Sequence, residues 1–154
     1  MEVYRITKAE FASDLSGTGS MIYGGRWNEK GIACLYTSQN RALCFCEFLM
    51  NTPFEFLPTS VSLVTFNFEG MAQSVIKPEE LPDNWQQYPG PKQLKKIGSI
   101  KLAIEKVSSI KVPSVLIPDE YNYIFNPLHS DYKNLKINKI ETIYLDKRLF
   151  PYSN

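Results

Sequence analysis

Glu47 is the only charged side chain in ALCFCEFLM, residues 42–50, a stretch whose apolar neighbours fall on nearly every face of the helix it predicts. A carboxylate there is expected to be buried, and burying a charge is unfavourable unless it is paired or put to use. Two uses stay open: an ion pair or partly exposed carboxylate at the helix edge, or an acid whose surroundings tune it for chemistry. Arg26 stands in GGRWNEKG, Gly24 to Gly31. Glycines such as Gly25 let the backbone approach a ligand closely, and a guanidinium offers a planar fork to a phosphate or carboxylate. Composition alone favours the plainer use of Arg26, a surface ion pair in a turn.

Ser114 lies between two prolines in VPSVLIP, residues 112–118. Proline is confined to sheet edges and bulges, so this strand is expected to lie at an edge or to be interrupted, a break that can aim a hydroxyl into a cleft. As a nucleophile Ser114 lacks a base, because the only histidine, His129, sits in NPLHSDY with no triad context. Asn122 and Asn126 are amides in the aromatic strand YNYIFN; Asn126 precedes proline and starts a turn, whereas Asn122 needs partners if buried. Tyr36, in LYTS, ends a strand just before the Glu47 helix, where core packing with a surface hydroxyl is the plain alternative.

Several chemistries are excluded. Five of the eight glycines fall between Gly17 and Gly31, yet their spacing fits neither a P-loop nor a dinucleotide fingerprint. Three cysteines without C-x-x-C spacing and a distant single histidine predict no metal site and no disulfide framework, only buried free thiols in a reducing compartment. No apolar run reaches the roughly 18 residues of a membrane span, and the N-terminus lacks a signal-peptide core, so a cytoplasmic location without membrane attachment is expected. Lysine plus arginine number 17 against 16 aspartate plus glutamate. Direct nucleic-acid binding is therefore not expected, and the lysines of PKQLKKIGSIK serve to solvate a helix.

These residues need a scaffold, and 154 residues with 44% hydrophobic content fit one domain over 1–154. Strand-like runs occur at 3–7, 31–38, 60–68, 110–118, 121–126 and 141–146. Residues 40–51 predict a helix capped by Ser38 or Asn40, and 92–106 a second, weakened by Gly98; KPEEL, 77–81, allows one short turn. LPDNWQQYPGP, residues 81–91, should be irregular, as a lid or as a connection packed by its aromatics. Strands and helices do not alternate regularly, which favours an α+β domain over a doubly wound parallel sheet.

Taken in order, YRIT, SGTGSMIYGGRWNEKG, LYTSQNRALCFCEFL, LPDNW, KVPSVLIPDEYNYIFNPLH and LDKRLF resemble the RES domain, the toxin of RES-Xre toxin–antitoxin systems, named for an arginine, a glutamate and a serine. The resemblance implies an ADP-ribosyltransferase-like split β-sheet with flanking helices and a cleft for NAD. It implies an NAD-degrading toxin that cleaves the nicotinamide–ribose bond, with inorganic phosphate or water as acceptor and no metal. A protein mono-ADP-ribosyltransferase is the alternative activity, and an inactive module that only binds NAD or an antitoxin is a third. By the same resemblance Arg26, Tyr36 and Glu47 are catalytic, while Arg5, Gly25, Ser114 and Asn122 bind substrate. Gly24 and Gly25 would bring Arg26 over an anionic group, with Trp27 packed beneath. The implied partner is an Xre-like helix-turn-helix antitoxin, in a complex that also contains further copies of the toxin.

Overall fold

In the computed structural model, which describes residues 1–150, the run SVSLVTFNF forms strand β3 (Ser60–Phe68) over its predicted span. Both of its faces are covered: every residue from Val61 to Phe66 is buried, including the small polar Ser62 and Thr65. It pairs antiparallel with β1 (Glu2–Thr7) on one side and β7 (Leu135–Tyr144) on the other, with a bulge between Thr65 and Phe66. Strands β2 (Leu35–Ser38), β4 (Gln73–Val75), β5 (Ser109–Pro113) and β6 (Tyr121–Phe125) complete a seven-stranded sheet in the order β4-β5-β6-β2-β1-β3-β7. Only β4 and β5 run parallel.

The sheet narrows at its middle. Tyr4 and Ser38 form the single residue pair between β1 and β2, whereas β1 and β3 pair at every position from Glu2 to Thr7. The α+β fold is thus a split sheet, with β4-β5-β6-β2 as one half and β1-β3-β7 as the other. On one face, Val3, Leu35, Val64, Phe66, Tyr123 and Phe125 form a core common to both halves. On the other face each half has its own cover. Helix α2 (Arg41–Asn51) lays Phe45, Phe48 and Leu49 against Ile6 and Val61. Helix α3 (Lys92–Ser99), continued by a π turn at Ile100–Ile104, brings Leu94 and Leu102 to Ile110, Val112 and Ile124.

Asn40 caps α2 by accepting a hydrogen bond from the Leu43 backbone N–H at 2.8 Å, which leaves Ser38 for another task. The helix is less enclosed than its composition predicts: only Leu43 and Cys44 are fully buried, Glu47 is half-buried, and Met50 is exposed. Other boundaries also differ. Residues 31–34 are loop, β7 begins at Leu135 instead of 141, and β4 and the six-residue α1 (Thr18–Tyr23) were not foreseen. The helix predicted over 92–106 turns into a π turn after Ser99 and ends at Ile104. The break at VPS is real: β4 stops opposite Lys111, so Val112 and Pro113 pair only with β6. Cys34 and Cys44 are buried free thiols, while Cys46 is only half-buried.

Gly98 sits where α3 presses on the loop after α1, and a Cβ there would collide with the Trp27 carbonyl. Helix propensity alone says that Gly98→Ala stabilises an exposed helix by about 1 kcal/mol. Overpacking against backbone instead predicts a loss of about 1–3 kcal/mol, read as a lower urea midpoint at unchanged m-value.

Candidate active site

The cap at Asn40 sets the phase of α2, and that phase turns Glu47 toward the seam between the two apolar covers. There Asn122 of β6 donates from Nδ2 to Glu47 Oε1 at 2.6 Å. Asn122 is directly opposite Ser38 in the β2–β6 ladder, and Ser38 Oγ donates to the Asn122 Oδ1 at 2.7 Å. From the helix itself Asn51 Nδ2 reaches Glu47 Oε2 at 3.5 Å. Burial pushes the Glu47 carboxyl above the usual glutamate range, and the bond from Asn122 and the charge of Arg26 pull it partly back. The result is a carboxylate that is held, half-solvated and reluctant to ionise.

Arg26 feels the charge of Glu47 but forms no salt bridge with it among the described residues. Its guanidinium instead reaches over to the irregular 81–91 segment. Nη1 donates to the carbonyls of Trp85 at 3.0 Å and Gln87 at 3.3 Å, and Nη2 donates to Gln87 at 3.2 Å. Gly90 makes this approach feasible, since a Cβ there would stand 2.8 Å from Nη1. The segment is therefore a strap fastened by Arg26.

Tyr36 supports the loop that carries Arg26. Its hydroxyl donates to Asn28 Oδ1 at 2.7 Å and accepts from the Trp27 backbone N–H at 3.0 Å. Burial drives its ionisation well above the ordinary tyrosine range, so it stays a neutral phenol. At Gly25 a Cβ would come within 2.5 Å of that hydroxyl, so the glycine is needed for close packing. Asn28 is fully buried, and its Nδ2 donates to the carbonyls of Ser20, Glu29 and Ile32. Trp27 is buried beneath the loop, as expected.

The structure thus brings Arg26, Glu47 and Asn122 to one seam, sets Arg5 and Ser114 in two cavities, and places Tyr36 between the Arg26 loop and the Arg5 cavity. Arg5 donates from Nη1 to the Asp14 carbonyl at 2.8 Å and lines a space of about 130 Å³ with Gly17, Ser20, Cys34 and Tyr36. Ser114 is buried, and its Oγ accepts from the Leu116 and Ile117 backbone N–H groups at 3.1 and 3.2 Å. It lines a space of about 240 Å³ with Trp85, Pro113, Glu120 and Tyr121. Trp85 thus connects the Ser114 cavity to Arg26. His129 caps a short turn by accepting from the Asp131 N–H. Four contributors escaped the sequence: Asn28, Ser38 and the carbonyls of Trp85 and Gln87. The N in GGRWN was a usable signal for the first; nothing in the sequence marks a backbone acceptor.

Groups of His, Cys, Asp and Glu able to hold a metal ion are absent among the described residues, and no helix among them is long and apolar enough to cross a membrane. The chain is 36% identical over 141 residues to the Prs ADP-ribosylating toxin of Sphingobium sp. (strain YBL2), covering 90% of this chain and 88% of that one. It is 32% identical over 134 residues to Toxin Res of Yersinia enterocolitica, covering 86% and 88%. Its fold is similar to a chain in the crystal structure of the M. tuberculosis MbcT-MbcA toxin–antitoxin complex, with a TM-score of 0.74, 18% identity, and coverage of 96% of this chain and 85% of that one. The RES domain pattern matches residues 2–146, the whole of the split sheet and both elements that carry the Glu47 seam, so the chain belongs to the RES domain family.

Proposed function

We propose that this RES domain is the toxin of a toxin–antitoxin pair and that it destroys NAD by cleaving the bond between nicotinamide and ribose. The observation that carries this reading is Glu47, a carboxylate held by Asn122 at 2.6 Å in the field of Arg26 and free of any ion pair among the described residues. Nicotinamide leaves with the electron pair of the C–N bond, and the ribose passes through an oxocarbenium-like state. The leaving group already carries positive charge, so no strong general acid is needed. Ionised Glu47 stabilises the developing cation, an effect that is large where water is scarce. An oxygen of inorganic phosphate, or of water that then loses a proton, forms the new bond to the ribose carbon.

Arg26 meets the pyrophosphate or the incoming phosphate, Tyr36 offers its ring to nicotinamide, and Asn122 holds Glu47. Arg5, Gly25 and Ser114 line the places where the rest of the dinucleotide lies. A single domain over 1–154, acting in the cytoplasm where NAD is abundant, fits this role. The partner is an Xre-like helix-turn-helix antitoxin that covers the cleft, in an assembly containing more than one toxin copy; of this, the antitoxin alone is supported by the neighbouring fold from M. tuberculosis, which is named as part of a toxin–antitoxin complex. A second reading, transfer of ADP-ribose to a protein, is favoured by the name of the Sphingobium relative.

Mass spectrometry of NAD incubated with the protein, with and without phosphate, separates the acceptors. Phosphorylated ADP-ribose, free ADP-ribose or a modified protein would each identify one, and intact NAD would leave only a binding module. Glu47→Gln should slow NAD loss by about 10²- to 10³-fold, the scale of one preorganised electrostatic contact; near-wild-type turnover would sink the assignment.

The raised carboxyl gives a second expectation. Activity requires the ionised form, so the acidic limb of kcat/KM, which reports the free enzyme, should lie above the ordinary glutamate range. Because the folded state holds the proton more tightly than the unfolded chain, ionisation of Glu47 destabilises the fold as pH rises. Glu47→Gln should therefore melt at or above the wild-type temperature at neutral pH, with the difference vanishing in acid. A variant that melts lower at neutral pH would contradict this sign.

A further inference from the structure

We propose that Ser38 is a positioning residue that acts on Glu47 through Asn122. This rests on the reading of Glu47 as the carboxylate that stabilises the ribosyl cation. An amide side chain can present either its oxygen or its nitrogen to a neighbour by a half-turn, and only the nitrogen favours an ionised carboxylate. Ser38 Oγ lies 2.7 Å from Asn122 Oδ1, an atom that can only accept, so the serine must donate. That bond leaves Nδ2 as the atom facing Glu47 Oε1.

The surroundings leave the Ser38 proton no better destination. Thr37 is committed to the Tyr123 carbonyl and Asn40 to the cap of α2. The Cys44 thiol, beside Ser38, is pushed up to about 12 by burial and remains a protonated, weak acceptor. Ser38 is itself buried at 4% exposure and is the β2 residue that pairs with Tyr4 across the split. Its backbone is therefore paired on both sides, with Tyr4 and with Asn122. The charged group that acts on Glu47 is Arg26 from the loop; Cys44 on the same helix feels the charge of Glu47 and of Arg5 of β1. None of them touches Asn122 Oδ1.

The test follows the Glu47 side-chain carboxyl carbon by NMR titration in the free protein, and NAD turnover in parallel, for wild type, Ser38→Ala, Asn122→Ala and the double variant. In Ser38→Ala the Glu47 midpoint should rise, as in Asn122→Ala. Its kcat should fall about five-fold, the equivalent of one neutral hydrogen bond, with KM for NAD changed by less than about two-fold. Added to Asn122→Ala, the serine change should do nothing more, because its path to Glu47 is gone. A wild-type midpoint in Ser38→Ala, or additive effects in the double variant, would overturn the proposal. Absence of NAD turnover in the wild type would overturn the proposed activity instead, and the midpoints would still decide whether Ser38 acts on Glu47.

Discussion

The bond from Asn122 to Glu47 holds an acid in a place where an unpaired carboxylate would be strongly disfavoured, and much of the fold is arranged so that it can form. Two apolar covers, one under α2 and one under α3, leave a polar seam where the half-sheets meet. A flat, fully paired sheet would have closed that seam with aliphatic side chains. Restricting β1 and β2 to the Tyr4–Ser38 pair keeps it open while both halves still share the core on the opposite face. The acid is thereby desolvated enough to matter electrostatically and yet remains reachable from solvent.

The arginine is placed by different means. No regular element carries Arg26; its loop is built on buried polar contacts, with Asn28 satisfied by three carbonyls and by the hydroxyl of Tyr36. Helix α3 seals it from behind, through Gly98 against Trp27 and through Ser99, which accepts from the Glu29 N–H at 2.9 Å. Glu47 thus depends on helix phase and sheet register, and Arg26 on close packing of loop backbone.

What was legible in the sequence follows from this division. Helix α2 and its cap, β3, the interrupted VPS strand and the oddity of Glu47 all announce themselves through periodicity or through a residue at odds with its neighbours. Helix α1 does not, since six residues that include a glycine carry too little pattern. The first half of β7, KINKI, is an edge strand whose lysines face solvent, so it lacks the apolar signal of its second half. Gly98 looked like a weakness in a helix, because a close approach by a segment some 70 residues away has no local trace. Ser38 was legible only as a cap; its partner is fixed by the β2–β6 register, which no single strand reveals.

The guanidinium of Arg26 has two hydrogen-bonding edges, and among the described residues the strap occupies only one, through Nη1 and Nη2, leaving the Nε–H side out of these bonds. A ligand oxygen that docks on the Nε side adds to the latch and keeps residues 85–87 in place. One that takes the end of the guanidinium must first displace the carbonyls of Trp85 and Gln87. Strap opening and anion capture at that end are then the two sides of one exchange, and whatever loosens the strap raises affinity there in proportion to the fraction of molecules in which it is open.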